Sequence, residues 1–286
     1  MVQELGVLLS LGAALLWGFN AFFIRKGLST SNPFAGALFS LIVASLIYLL
    51  VTAFTGFLYE EIPLSNLVFL ASAGFVGYSL AYLFYFNSIE LIGISKVATI
   101  TSARPFIAAI LALLIFREVM SFTLAAGTLF VVVGVALVSG DAKGQRSKGG
   151  EVLAISTALC WGLYPILVKE GLKGLTSVAK PTLITMVFAT ALYISLSLAL
   201  RRSNLLLRVD RYSLGFFVLS GFASGFANLL FFIALAFTPV TIVMPLSNIY
   251  PFIALALGIF VLSEKVTSKV VIGAILIFLG VFLVII

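Results

Sequence analysis

GVLLSLGAALLWGFNAFFIRKGL at residues 6–28 returns as GEVLAISTALCWGLYPILVKEGL at 150–172, with Trp17-Gly18 on Trp161-Gly162 and Gly27-Leu28 on Gly171-Leu172, an offset of 144. A second pair matches at an offset of 146, RPFIAAILALLIFREVMSFTLAAGTLFVVVGV (104–135) on YPFIALALGIFVLSEKVTSKVVIGAILIFLGV (250–281). There Pro105-Phe106-Ile107-Ala108 falls on Pro251-Phe252-Ile253-Ala254, Glu118 on Glu264, and Gly127 and Gly134 on Gly273 and Gly280. The 286-residue chain is therefore one pattern written twice.

Each copy is a series of apolar runs. Uncharged or nearly uncharged stretches cover 5–24, 27–59, 62–89, 91–116 (holding Lys96 and Arg104), 119–140, 152–168, 181–200, 212–263 and 266–286. Asn32-Pro33 marks where the helix in the second stretch begins. The 212–263 run would be roughly 78 Å long as one helix, more than twice a bilayer core, so it holds two spans, broken at Phe237-Thr238-Pro239. The runs are continuously apolar rather than alternating, and in lipid the backbone must satisfy its own hydrogen bonds, so they are helices and not barrel strands. The expected fold is all-α and integral to the membrane: ten transmembrane helices as two five-helix repeats. Residues 1–140 form the first repeat, 141–150 (within GDAKGQRSKGG) a linker, and 151–286 the second. Five is odd, so the second copy enters the membrane from the opposite side and the repeats are inverted. Met1-Val2-Gln3-Glu4 lacks the basic start of a signal peptide, and the first run recurs inside the chain.

Composition agrees: 62% of the residues are hydrophobic and 9% charged, with a mean hydropathy of +1.26. There is no histidine and one cysteine, Cys160, which excludes an internal disulfide, a Cys/His zinc site, a histidine-based triad and a histidine proton relay. No catalytic residue, metal or cofactor is expected. The net charge of +7 sits in short clusters between apolar runs, which reads as contact with anionic headgroups rather than with nucleic acid. The expected partners are a small-molecule substrate and the lipid bilayer, with monomer and homodimer both open.

Inverted repeats are a recurrent architecture of secondary transporters, with substrate held near the midplane and access alternating as one half rocks against the other. At WGFNAFFIRKGL and its counterpart, at the proline of the fourth helix, at the Glu that ends it and at the spaced glycines of the fifth, the chain resembles the drug/metabolite transporter superfamily, in particular its ten-helix EamA-type members. The resemblance covers essentially the whole chain. It implies a metabolite or drug carrier with cytoplasmic termini; members carry amino acids, other metabolites, drugs, nucleotide sugars or sugar phosphates. The charge count points the other way on orientation. Loops after helices 1, 5, 7 and 9 hold Arg25, Lys26, Lys143, Arg146, Lys148, Arg201, Arg202, Arg208, Arg211, Lys265 and Lys269, against Arg117, Lys169, Lys173 and Lys180 on the face of the termini. By the positive-inside rule that puts the termini outside.

Arg104 lies midway along the fourth run, too deep for its head to reach the interface, and intramembrane charges mark cavities or fixed internal partners. Lys96, eight residues earlier, is close enough to the helix end to snorkel, so headgroup and cavity readings stand side by side. Pro105 and Pro251 free the carbonyls of Thr101 and Ser247, by a kink or as a cavity wall. Positions polar in both copies are expected to face inward: Asn20 pairs with Tyr164, Tyr82 with Asn228, Ser102 with Asn248 and Arg104 with Tyr250. Tyr78, Tyr82 and Tyr85 share a helical face, Tyr85 being read as packing and the other two as binding. The expected substrate-binding set is Arg104, Lys96, Asn20, Tyr78, Tyr82, Tyr164, Asn228, Ser247, Asn248 and Tyr250. Pro105, Pro251, Trp17, Trp161, Glu118 and Glu264 are read as structural or gating. The predicted spans carry no acid at mid-depth, Glu90 and Glu170 lying at ends, which disfavours a cation exporter. Arg104 suits a carboxylate or phosphate gripped by two parallel hydrogen bonds. The expected function is transport of a small anionic or zwitterionic metabolite; the alternatives are export of cationic or hydrophobic drugs, a membrane-embedded enzyme, or a non-transporting scaffold.

Overall fold

In the computed structural model the apolar runs are helices and the polar punctuation marks where they stop. It describes residues 2–92, 94–138, 147–199, 201, 204, 209–262 and 267–286. Lys96 has only its backbone described, Glu264 lies outside the described residues, and so do 139–146, most of the expected linker. The helices are α1 (Val2–Gly27), α2 (Pro33–Phe54), α3 (Leu64–Gly74), α4 (Ala81–Ile92), α5 (Ile94–Thr101), α6 (Arg104–Phe116), α7 (Phe122–Val138), α8 (Lys148–Leu172), α9 (Ala179–Ala199), α10 (Arg211–Phe237), α11 (Val240–Ser247), α12 (Tyr250–Leu262) and α13 (Ser268–Ile285). A π-helical turn, Phe75–Leu80, joins α3 to α4 without a break. Among the described residues nine helical spans are long and apolar enough to cross a membrane, and α7, with 17 residues, is the tenth, about 26 Å long. Phe122, Phe260 and Phe278 are 76–89% exposed on the outside, as suits a lipid solvent. The chain is a multi-pass integral membrane protein.

Local chemistry explains the ends. Asn32 caps α2 by accepting from the Ala35 amide at 3.0 Å, with Pro33 at the first helical position, where its missing N–H costs nothing. Thr238 is extended before Pro239, and α11 starts at Val240, so the expected break in the 212–263 run is where the chain turns. Asp210 caps α10, accepting from the Tyr212 and Ser213 amides at 2.9 and 3.0 Å and from Thr30 in the α1–α2 loop at 2.7 Å. The Thr30 hydroxyl and then the Ser213 amide and hydroxyl hold its carboxyl well below the usual range. α8 begins inside the expected linker, at Lys148, with Ser147 accepting from the Gly150 amide at its start.

The expected kinks at Pro105 and Pro251 are full breaks. The fourth span stops at Thr101, turns over Ser102-Ala103 and restarts at Arg104; the ninth stops at Ser247, turns over Asn248-Ile249 and restarts at Tyr250. Each proline is the second residue of a new helix, so it leaves no hydrogen bond missing, and the next amide closes a tight turn: Phe106 onto Ala103, Phe252 onto Ile249.

Helices pair across the repeats rather than within them. α1 lies on α10 and α12, and α2 on α10; α3, α4 and α6 lie on α8, and α3 also on α9. The result is two bundles, one of α1, α2, α10, α11 and α12, the other of α3 to α6, α8 and α9, each drawing on both halves of the sequence. Contacts repeat across the pseudo-twofold: Trp17 meets Phe231 at 5.1 Å and Trp161 meets Tyr85 at 5.2 Å, while Gly18 abuts Ile253 and Gly162 abuts Ile107. α7 and α13 pair outside the bundles in antiparallel register, Gly127 opposite Gly280 and Gly134 opposite Gly273. A Cβ on Gly134 would stand 2.7 Å from the Gly273 carbonyl oxygen. Gly134→Val should therefore separate the pair and cost at least the roughly 1–3 kcal/mol of overpacking. Gly215→Ala, where the added carbon meets nothing within 4 Å, should leave the melting temperature in detergent unchanged.

Candidate functional site

The two helix breaks face each other at the centre of the molecule, and the residues that restart the helices line a cavity of about 170 Å³ between the bundles. Arg104 opens α6. Its Nε donates to Oδ1 of Asn248, in the opposite break, at 2.8 Å, and Asn248 Nδ2 donates back to the Ser102 carbonyl at 3.2 Å. Its guanidinium carbon lies 4.9 Å from the Tyr250 ring centre and 5.4 Å from that of Trp161. Cation–π contact and one neutral amide hold this charge; among the described residues it has no carboxylate partner. α6 and α12 also bring their N-termini to this place, and the partial positive charge of each favours an anion there.

Of the expected binding residues, Arg104, Asn20, Tyr78, Tyr82, Tyr164, Ser247 and Tyr250 line the cavity together. Asn228 and Asn248 stand behind it, each 1% exposed: Asn248 holds Arg104, and Asn228 Oδ1 accepts from the Tyr78 hydroxyl at 2.7 Å. Tyr85, read as packing, and Trp17 and Trp161, read as structural or gating, also line the wall. The Trp161 indole donates to the Gly77 carbonyl at 3.0 Å, which commits its polar edge internally and leaves its face toward the cavity. Ser40, Ile24, Phe86, Phe231 and Met244 also line the cavity and escaped the sequence reading. Ser40 was within reach of the two-copy test: with Tyr48 set on Tyr193 it falls on Thr185, also polar. It joins Ser220, 2.8 Å away, which donates to Asn20 at 2.5 Å.

The cavity is one-sided. Two faces alternate along the chain, the terminal face carrying both chain ends and the basic face lying at the C-terminal ends of α1, α7, α9 and α12. Asn20, Ala21 and Ile24, on the stretch of α1 leading to the basic face, are half-buried and line the cavity, whereas their repeat partners Tyr164, Pro165 and Val168 are buried, Val168 completely. Toward the terminal face the bundles close on each other. Tyr164, 3.1 Å from the Tyr78 hydroxyl of its own bundle, stacks on Phe231 of the other with ring centres 6.0 Å apart, and beyond them Phe232, Leu235, Val240 and Val243 pack with no exposure.

Glu118 seals that side. From the loop after α6 it reaches the other bundle, accepting from the Val240 and Thr241 amides at 2.9 and 3.0 Å and from the Thr241 hydroxyl at 3.0 Å. It thus caps α11 from 122 positions away in sequence. Lys169 of α8 donates to it at 2.8 Å and to the Thr238 carbonyl at 3.3 Å. Burial pushes the carboxyl up, but the Lys169 hydrogen bond, the two amides and the Lys169 charge outweigh it and hold the pKa below its ordinary value.

The sequence profile described as the EamA-like transporter family matches residues 4–140 and again 148–286. A protein of Archaeoglobus fulgidus named as an uncharacterized transporter is 26% identical over 283 residues, covering 98% of this chain and 97% of its own. Bacillus subtilis YvbV, also named as a transporter, is 26% identical over 149 residues, 51% of this chain and 48% of its own. A solved crystal structure 18% identical superposes with a TM-score of 0.79, covering 98% of this chain and 96% of that one, which speaks for the fold alone.

Proposed function

The chain belongs to the EamA-like transporter family, and from that premise we propose that it moves a small anionic or zwitterionic metabolite by alternating access through the cavity between the two bundles. The observation that carries this reading is Arg104, a charge in the middle of the membrane with no acidic partner among the described residues and with one edge fixed by Asn248. Its remaining donors suit the two oxygens of a carboxylate or phosphate. Asn20, Tyr82, Ser247 and Tyr250 are the polar groups to meet the rest of the molecule, with Tyr85, Trp17 and Trp161 as walls. A volume near 170 Å³ is below the roughly 300–1,000 Å³ of sites for drug-sized ligands, which favours an amino acid, small carboxylate or small phosphate over a nucleotide sugar. Basic residues around the open face would raise the local concentration of such an anion.

Export of cationic drugs is the weaker reading, because the aromatic faces that could hold a cation already flank Arg104. The transporter names of the relatives favour transport over enzymatic turnover. The expected movement is of one mixed bundle against the other, not of residues 1–140 against 151–286. The test is thermal stabilisation of the purified protein by a panel of amino acids, carboxylates, sugar phosphates, nucleotide sugars and organic cations, since a ligand that binds only the folded state raises its stability. Stabilisation by small anions or zwitterions supports the proposal; stabilisation by cations alone overturns it.

A further inference from the structure

The matched contacts of the two halves fix their register, and within the third span of each half it slips by one. Gly74 abuts the Thr185 carbonyl and Gly221 the Ser40 carbonyl, so Gly74 and Gly221 are equivalent. Further along the same helices, Tyr85 on Trp161 matches Phe231 on Trp17. From Gly74 to Tyr85 is 11 positions, from Gly221 to Phe231 only 10. The first half carries one residue more, in the place where its helix leaves the α form for the π turn Phe75–Leu80; α10 stays α-helical throughout. An extra residue between two fixed contacts has to be stored as a wider turn, and π turns of this kind gather at functional sites.

The extra residue breaks the symmetry of the cavity at its floor. Tyr78, inside the π turn, donates to Asn228 and so joins the two bundles. The equivalent crossing toward the basic face would run from Ser224 to Tyr82, and it is not made: Ser224 donates to the Gly221 carbonyl of its own helix at 3.3 Å, and the Tyr82 hydroxyl has no hydrogen bond among the described residues. Two identical halves would hold the two access states at equal energy. In this structure, open to the basic face, the crossing made is the one from the half that carries the extra residue, with Tyr78 as its donor where the other half has Ser224.

We propose that Tyr78 is a positioning residue, placed by the inserted residue, whose bond to Asn228 biases the transporter toward the state open to the basic face. The inference rests on the cavity being the transport path, not on the identity of the substrate.

The test needs no substrate. In a Cys160→Ser background, Ile24→Cys on the open side and Val168→Cys, its repeat partner on the sealed side, are labelled with a membrane-impermeant maleimide in sealed vesicles of each orientation. The parent should label at Ile24→Cys and scarcely at Val168→Cys. Adding Tyr78→Phe should raise the Val168→Cys rate about three- to tenfold and lower that of Ile24→Cys, the population shift worth one neutral hydrogen bond. Deleting Val76, which removes the extra residue, should do the same where the variant folds. Unchanged labelling in folded Tyr78→Phe overturns the proposal, and unchanged labelling with lost ligand stabilisation would make Tyr78 a substrate contact instead. Either result leaves the Arg104 reading standing, while failure of every anion to bind would leave a labelling shift intact.

Discussion

Arg104→Ala abolishes the ligand-dependent rise in melting temperature while leaving the ligand-free protein about as stable as before. A ligand present at 100 times its Kd stabilises by about 2.7 kcal/mol. Each hydrogen bond from a charged donor is worth about 1.5–3 kcal/mol, so losing a two-pronged grip weakens binding at least about 100-fold and removes the signal. Ligand-free stability is expected to hold because the truncation has opposing effects. It relieves a buried charge of its desolvation and strands the acceptor of Asn248. Arg104→Lys keeps the charge without the planar fork and should bind measurably but weakly. A full ligand response in Arg104→Ala would remove Arg104 from the site.

Glu118→Gln is the second large effect, and it falls on stability. The carboxylate side chain is 8% exposed and takes bonds from two amides, a hydroxyl and an ammonium. Neutralising it should cost about 1.5–3 kcal/mol at neutral pH, the worth of a hydrogen bond to a charged group. Lys169, 23% exposed, recovers part of its hydration and keeps the loss below that of a fully buried pair. The sign of the pH dependence follows from the lowered pKa. The contribution is complete above the unfolded value, about 4.3 for Glu, and fades as pH falls below it through the folded one. The gap between parent and Glu118→Gln melting temperatures should thus be constant from pH 7 to 5 and close only at more acidic pH. A gap already closed at pH 5 would show that the charge is not what holds the cap.

The elements that could be read from the sequence are those whose signal is local. Asn32-Pro33 and Thr238-Pro239 stop and start helices through their own backbone preferences, and Arg104 stands out because a charge at that depth has so few explanations. Pairing the copies reached Asn20, Tyr82, Tyr164 and Tyr250 because both halves fold around the same central space. What escaped depends on distant partners or on register. The bonds from Glu118 to Val240 and Thr241 span more than a hundred positions. The breaks at Ser102 and Asn248 look like ordinary kinks until the turns between the half-helices are seen. The π turn left only a one-step slip in the repeat offset, and in a run that is apolar all round no periodicity betrays a register change. Tyr85, which both packs on Trp161 and lines the cavity, is legible only in half for the same reason, since an aromatic stripe on such a helix does not say whether it faces a neighbour or a void.

The exchange of helices between the two halves also bears on how the chain is assembled and how it arose. Because α1 finds its main partner in α10, and α8 its partners in α3, α4 and α6, neither half can complete a core by itself. The first five helices emerging from a ribosome must wait, with their inward faces unmatched, until the second five are synthesised. The join between α7 and α8 then acts chiefly by raising the effective concentration of one half for the other. Two separate polypeptides carrying the halves would meet in the same crossed arrangement, and so would two copies of a single ancestral five-helix chain inserted in opposite directions. Duplication and fusion would have preserved that crossed dimer inside one molecule, freeing each copy to change alone, and the two now differ by one residue beneath the cavity.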